Sequence, residues 1–430
     1  MKKYYSLYGR MLNYNALYEG FIKVKKAKGA AGIDKQSLSN FADELDNNLI
    51  QLQQELQTKQ YKPLPVKRVE IPKADGGVRL LGIPAVRDRI VQQTLLNILQ
   101  PIFDSGFHPS SYGYRPNKSC HDAISKATLF IRRYDRKFVV DMDLSKCFDT
   151  LDHDLIIKSV RKHVTDGSIL NLIKKFLNSG VMIGKNWEAS VVGSPQGGVI
   201  SPLLANIYLD EFDKEMQRRN HRIVRYADDI LILCTSSSAA DNALIKATQI
   251  LEKDLKLTVN QKKTHIAHSD DGIKFLGVII GSGFTRIQDA KLKSFKQKIK
   301  GLTKRNSGMN ISSIIKRLNP TIRGFSNYFS IANCKREFLK LASWIRRRLR
   351  SIQLKLWKKP TRLHRRLRQL KYKSQFKFIK MSSWRNSASP LASLSMPNSW
   401  FEELKLYSIG GVKTGWFVYN KTKYYNVKFT

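Results

Sequence analysis

The 430-residue sequence predicts an α+β fold with helices toward both ends and β-strands between them. Three observations carry that prediction. Apolar residues recur at helical spacing near residues 41–56 and 338–356. IPKADGGVRLLGIP alternates around a Gly-Gly turn, and two β-forming stretches, KFVVDMDLSKCFDTLDHD and VRYADDILI, each carry acids. The length allows two or three domains, each with its own core.

Taken in chain order, Phe41, Leu45, Leu49, Leu52 and Leu56 form one amphipathic stripe, which Pro63 and Pro65 are expected to end before an extended segment begins. The following hairpin carries Lys73 and Arg79, two basic side chains beside a glycine turn. KFVVDMDLSKCFDTLDHD, residues 137–154, opens as a buried strand, in which Asp141 and Asp143 share one face and Val140 and Met142 the other because side chains alternate. Asp149 and Asp152 read as local helix caps. In VVGSPQGGVISPLLANIYLDEF, Gly193, Gly197 and Gly198 permit close backbone approach, and the apolar run from Val199 to Leu209 reads as a buried helix. Asp228 and Asp229 stand side by side between stretches that favour burial. A hairpin turn explains the residue type. A metal site explains the paired charge, because a divalent cation offsets carboxylate repulsion.

Charge identifies the partner class. The 76 Lys and Arg exceed the 34 Asp and Glu by enough to give a formal net charge of +42, which points to a nucleic acid. Residues 291–380 alone hold 28 Lys and Arg against one acid, Glu337. Within them Phe338, Leu341, Ile345, Leu349, Ile352 and Leu356 mark a helix face, with Arg346, Arg347, Arg348 and Arg350 largely off it. Without interspersed acids that basic face repels itself, and a phosphate backbone resolves the repulsion through counterion release. No apolar run of about 18 residues and no signal-peptide core occur, so a membrane is not an expected partner and a cytoplasmic location is expected. Cys120, Cys147, Cys234 and Cys334 are too scattered for a zinc module and read as reduced, mostly buried thiols.

The order of RLLGIP, SYGYRPNKSCHDAI, DMDLSKCFD, GSPQGGVISPLLANIYL, RYADD, LTVNQKKT and KFLG closely resembles the reverse transcriptases encoded by group II introns, the intron maturases. The resemblance runs from KGAAGID near residue 28 to the basic helices ending near 360. It implies a right-hand polymerase, with fingers and palm built on an antiparallel β-sheet packed on helices and followed by an α-helical thumb. The implied parts are an N-terminal extension over 1–60, fingers and palm over 61–290, a thumb or maturase domain over 291–365, and a tail over 366–430 that is a DNA-binding remnant or a packed terminus.

Carried onto this sequence, the resemblance implies that Asp143, Asp228 and Asp229, with the Leu144 carbonyl, hold two Mg²⁺ ions, Mn²⁺ being an alternative. Phe148 would select deoxynucleotides. Lys73, Arg79, Gln196 and Lys263, with Lys262 competing for the last role, would line the dNTP site. Phe275, Leu276 and Gly277 would form a primer grip, and Trp344 and Trp357 would pack the thumb. The implied partners are group II intron RNA, an RNA template with its DNA primer, target DNA and dNTPs. A homodimer stays open, as does an organelle in place of the bacterial cytoplasm or nucleoid. The His-Asn-His and paired-cysteine endonuclease of many relatives has no counterpart after residue 360, so second-strand cleavage is not expected. Related enzymes of phage defence or CRISPR adaptation, and splicing cofactors without polymerase activity, are the alternatives.

Overall fold

The computed structural model describes residues 3–72, 77–183, 186–188, 192–193, 197–373, 375–419 and 422–425. The chain divides into two compact units, Met1–Phe130 with Asp135–Ala267, and Ile131–Tyr134 with His268–Thr430. The α+β class predicted from patterning is the class found.

The first unit opens with α1 (Tyr8–Met11), α2 (Tyr14–Ala27), α3 (Leu38–Asp43) and α4 (Leu45–Gln57). The hairpin β1 (Val66–Pro72) and β2 (Val78–Ile83) follows, then α5 (Val86–Asp104), α6 (Cys120–Arg132) and β3 (Phe138–Met142). Next come α7 (His153–Arg161), α8 (Gly167–Leu177), β4 (Val181–Ile183) and β5 (Asn186–Glu188). α9 (Ser201–Arg218), β6 (Arg222–Tyr226), β7 (Asp229–Cys234), α10 (Ser237–Gln249) and β8 (His265–His268) complete it.

The stripe at 41–56 is interrupted. Glu44 leaves helical geometry at φ −121° and ψ 43°, so α3 and α4 are separate helices, although Phe41, Leu49, Leu52 and Leu56 are all buried. α4 stops at Gln57, ahead of Pro63 and Pro65, so the prolines shape the extended segment rather than break the helix. Local capping explains where several helices start. The Asp152 carboxylate accepts from Leu155 N at 2.9 Å at the head of α7, as expected. Asp149 instead lies inside a 3-10 turn spanning Cys147–Asp149, because α7 begins only after Asp152. The Asp166 carboxylate caps α8 and also accepts from Leu7 N at 2.7 Å and Tyr8 N at 2.8 Å, tying the N-terminal segment to that helix.

Two four-stranded sheets result, in the orders β2-β1-β4-β5 and β6-β7-β3-β8. β1 and β2 pair antiparallel from Lys67↔Ile83 to Pro72↔Val78, as the Gly-Gly hairpin signal predicts. In the second sheet β7 pairs antiparallel with β3 and with β6. α10 packs against β3 and β7, and α9 against β6. Ile230 to Cys234 are all buried, and the Val199–Leu209 run becomes the buried stretch of α9, with Leu204, Tyr208 and Leu209 essentially inaccessible. Burying side chains on this scale, at about 25 cal/mol per Å² of apolar surface, makes the sheet a rigid base for whatever sits at its hairpin tip.

The second unit carries a three-stranded sheet, β9 (Ile273–Phe275), β10 (Val278–Ile280) and β11 (Thr285–Ile287), in the order β11-β10-β9. Helices α11 (Asp289–Leu302), α12 (Ile311–Phe329), α13 (Lys335–Trp357) and α14 (Pro360–Gln369) follow. The rings of Phe295 and Phe325 stack at 3.9 Å, with Phe329 and Phe338 beside Phe325 at 4.7 and 6.3 Å. This aromatic cluster explains how helices so rich in like charge still find a core. Short helices α15 (Pro390–Ser395) and α16 (Asn398–Glu403) come next, then a hairpin of β12 (Trp416–Tyr419) and β13 (Thr422–Tyr425). Met381, Met396, Phe401 and Ile409 are buried, so much of the tail is packed structure. No helix among the described residues is long and apolar enough to cross a membrane. All four cysteines are free, three of them buried.

Candidate active site

The last paired residues of β6 and β7 are Tyr226 and Asp229, which leaves Ala227 and Asp228 as a two-residue hairpin loop. Such loops require a left-handed backbone. That conformation falls on Ala227, at φ +59°, and on neither aspartate. A methyl-bearing residue in that region is costly unless its surroundings impose it. They do so from two sides. Gly113 lies so close that a Cβ built on it would stand 2.3 Å from Ala227 N. From the other side, Arg225 Nη1 donates to Ala227 O at 3.1 Å.

Arg225 is the hub of this support, and sequence reading missed it. Its guanidinium is fully buried and donates to both Asp213 oxygens, the closest at 2.6 Å, to Asn206 Oδ1 at 3.0 Å and to Ser111 Oγ at 2.9 Å. Asn206 Nδ2 in turn donates to Gly113 O at 2.8 Å. The main chain of 110–112 also lies along Arg225, through Arg225 N to Ser110 O and Tyr112 N to Arg225 O, each 2.9 Å. One arginine therefore joins α9, β6 and the SYGY segment under the turn. The only sequence signal was its position in RYADD, where a basic residue reads as exposed. Gly113→Ala is expected to displace the turn and to lower the primer-extension rate that the resemblance implies about 100-fold, the usual consequence of an ångström-scale misplacement. Single-turnover primer extension checks this, and wild-type rates would show that the turn tolerates the methyl group.

The acids crowd one another. Burial, then Asp228, Asp143 and Asp141 in that order, push the Asp229 carboxyl up to about 7. Burial comes first for Asp228 as well, which is raised with a further push from Asp143 and opposed by Arg79 and Lys263. Asp141 is pushed up to about 6, mainly by burial. Asp143, one residue beyond β3, accepts on Oδ2 from Asn260 Nδ2 at 3.0 Å and is paired with Lys263 Nζ at 3.1 Å. Its main-chain oxygen accepts from Asn260 N at 2.8 Å, and Leu144 bridges Val259. Among the described residues no three acidic, histidine or cysteine side chains are already drawn together tightly enough to hold an ion. The donor set nevertheless fits a hard divalent cation. Asp228 and Asp229 are each raised by neighbouring acids, a repulsion that an oxygen-seeking cation would offset while drawing the donors together.

A stability consequence follows from Asp229. A folded-state value above the ordinary carboxylate value of about 3.9 means folding favours its protonated form. In EDTA that contribution is present below about pH 4 and is lost as pH rises through about 7. Asp229→Asn keeps the shape and is expected to flatten this decline, measured as thermal midpoints at pH 5 and pH 8. An unaltered decline would assign it to other groups.

The expected nucleotide-site residues divide. Lys73 and Gln196 lie outside the described residues. Arg79, on β2, is close enough to lower the Asp228 carboxyl, and it is Lys263 that pairs with Asp143. Phe148 is buried in the 3-10 turn, with the Tyr114 ring edge-on at 6.2 Å. Tyr114 is a second residue that sequence reading missed. Its hydroxyl is raised first by burial and then by the nearby charge of Asp228. Gly193 and Gly197 confirm the close-approach reading. A Cβ at Gly197, at φ +112°, would stand 2.2 Å from Gly82 O, and one at Gly193, at φ +90°, 2.6 Å from Asp149 O.

In the second unit Phe275 pairs with Val278, leaving Leu276 and Gly277 as a two-residue loop with φ +46° and +83°. Tyr328 Oη donates to Leu276 O at 2.7 Å and holds it. Of the four arginines expected to bind nucleic acid, Arg348 donates to Thr303 Oγ1 at 2.6 Å and Arg350 to Met396 O at 3.0 Å, so these two also brace the chain. Arg346 and Arg347 are half-buried. Trp344 and Trp357 are both half-buried rather than core residues.

An antiparallel sheet that carries aspartates on a hairpin tip and on the adjoining strand end is the palm of a nucleic-acid polymerase. The reverse transcriptase (RNA-dependent DNA polymerase) family matches residues 71–280, and the group II intron maturase-specific domain matches residues 292–372. The chain is 37% identical over 290 residues to Protein YkfC of Escherichia coli, covering 58% of this chain and 76% of that protein. It is 29% identical over 339 residues to the group II intron-encoded protein LtrA of Lactococcus lactis, covering 63% and 56%. It is also 29% identical over 326 residues to the putative COX1/OXI3 intron 2 protein of Saccharomyces cerevisiae, covering 62% and 38%. This chain belongs to the reverse transcriptase and maturase family encoded by group II introns. It spans about half the length, or less, of the last two relatives.

Proposed function

We propose that this protein copies an RNA template into DNA at the Asp228–Asp229 hairpin and uses its basic second unit to bind the group II intron RNA, assisting splicing and target-primed mobility. The observation that supports this best is the crowding of Asp228 and Asp229 with Asp143, since half-buried carboxyls raised by burial and by neighbouring acids serve no purpose in a plain RNA binder. In this reading Asp143, Asp228, Asp229 and the Leu144 carbonyl hold two Mg²⁺ or Mn²⁺ ions. Bound there, the metals supply Lewis-acid stabilisation of the attacking and leaving oxygens. The chain's own part is positioning, which dominates phosphoryl transfer. Arg79 and Lys263, with Lys73 and Gln196, orient the triphosphate, and Phe275, Leu276 and Gly277 press the primer end. The functional parts are an N-terminal extension over 1–60, fingers and palm over 61–290, a thumb over 291–365 and a tail over 366–430. Target DNA is the acceptor, and the bacterial cytoplasm or nucleoid is the location.

Phe148 supports deoxynucleotide selection, because a buried ring with Tyr114 edge-on at 6.2 Å would act as a steric filter against the 2′-hydroxyl of a sugar placed over it. Phe148→Ala is expected to raise ribonucleotide use relative to deoxynucleotide use by roughly 10- to 200-fold, the range for removing a steric filter. Competition between dNTPs and rNTPs measures it, and unchanged discrimination would assign selection elsewhere. The whole reading is tested by primer extension on an RNA template with Mg²⁺ beside binding of a structured RNA. Tight binding without any extension would replace it with a splicing cofactor that lacks polymerase activity.

A further inference from the structure

The second unit holds a cavity that the polymerase reading leaves unused. It measures about 330 Å³, inside the roughly 300–1,000 Å³ range of ligand sites, and lies between α13 and the 3-10 turn Trp384–Ala388. Two tryptophans form its aromatic walls, Trp344 beneath the Arg348 guanidinium at 5.4 Å and Trp384 beneath that of Arg347 at 5.2 Å. Its polar lining is unfinished. Among the described residues Arg305 Nε, Arg347 Nε and Ser351 Oγ are buried with no hydrogen-bond partner, and Ser351 is only 6% exposed.

Buried donors without acceptors cost free energy, and three at one cavity ask for an occupant that accepts. The walls are already braced to receive it. Arg305 spends its terminal nitrogens on Ser382 O at 2.7 Å and Met381 O at 3.2 Å, while Arg348 holds Thr303 O at 3.0 Å. Among the described residues no acidic side chain lines the space, so the occupant is an anion or a neutral acceptor. A flat ring for the tryptophans joined to an acceptor-rich anion for the arginines describes a nucleobase with its adjoining phosphate.

We propose that this cavity captures a single unpaired nucleotide of a bound RNA strand, its base against Trp384 and Trp344 and its phosphate at Arg305 and Arg347. The Ser351 hydroxyl then serves the base edge. The assignment rests on the reading that this unit binds RNA, and it adds a requirement that phosphate contacts alone do not impose, an extruded base. A base in a paired helix is stacked on both faces and cannot enter. A free mononucleotide offers the same chemistry and is the other source to be separated.

The test uses the full chain and two RNA hairpins, one with a single bulged 2-aminopurine and one fully paired, with AMP and ribose 5-phosphate as competitors. The bulged base is expected to be quenched on binding, AMP to reverse the quench, and ribose 5-phosphate to leave it. Trp384→Ala is expected to weaken the bulge-dependent part by roughly 5- to 150-fold while the paired hairpin is still retained. Trp384 is 56% exposed, so the substitution is expected to leave the fold intact, which circular dichroism confirms. Ser351→Ala gives a smaller loss in the same direction. Equal affinity for both hairpins, unchanged in Trp384→Ala, overturns the proposal and leaves the RNA-binding reading standing. AMP binding that the bulged hairpin cannot displace overturns the strand as the source. If neither hairpin is retained, the RNA-binding reading falls and the proposal with it.

Discussion

Replacing Asp228 and Asp229 together by Ala is expected to abolish primer extension, on the order of 10³-fold or more, while leaving RNA retention unchanged. The size follows from what the pair does in the proposed reaction. Groups that stabilise charge developing in the transition state lose about 10²–10³ in rate when one is removed, and this variant removes two. Retention is expected to survive because the positive charge that serves it is concentrated in residues 291–380, away in sequence from the hairpin. Folding is expected to survive as well. Both carboxyls are raised by burial and by their neighbours, so their removal relieves repulsion in the metal-free protein. Extension, filter retention and a thermal midpoint measured together separate the outcomes. If the variant still extends primers at a substantial rate, the catalytic role assigned to this turn is wrong.

Arg225→Leu is expected to cost about 3–5 kcal/mol of stability, the penalty for breaking a buried ion pair from one side. Asp213, itself 0% exposed, would be left as a buried carboxylate without its countercharge, and Asn206, Ser111 and Ala227 would each lose a donor. Asp213→Leu combined with Arg225→Leu is expected to recover part of that loss, because the double variant strands no charge. Recovered stability without recovered extension is the expected signature, since Ala227 would still lack the bond that holds its left-handed backbone. Denaturant unfolding of both variants measures the first quantity and single-turnover extension the second. Equal stability of Arg225→Leu and the native chain would mean that solvent reaches the pair.

Much of this protein was legible as local pattern. The β1–β2 hairpin, the buried strands β3 and β7, the run that becomes α9 and the α13 stripe all followed from periodicity, because side-chain alternation and helical spacing are properties of neighbours in sequence. The Asp152 cap and the close approach at Gly197 were readable for the same reason. The break at Glu44 was not, since the apolar stripe continues across it and only packing shows that the helix stops. Nor was Asp149 readable as a 3-10 residue, because its turn is closed by main-chain bonds that any residue type can make.

For the candidate site, order of motifs and residue type sufficed to nominate Asp143, Asp228, Asp229, Arg79, Phe148 and Lys263. The sequence alone thus determined the class of chemistry and the family, since both reside in residue identity and order. Tertiary structure alone decided what holds that chemistry in place. Arg225, Asn206, Asp213, Gly113, Tyr114 and Asn260 come from segments up to 117 residues away from the groups they contact. The left-handed Ala227 is imposed by two of them rather than by any turn propensity of its own. Burial made the same decision for charge, turning the Arg225 guanidinium into a buried post beneath the Ala227–Asp228 turn. A contact between distant segments has no local period, and only the folded chain brings its two halves together.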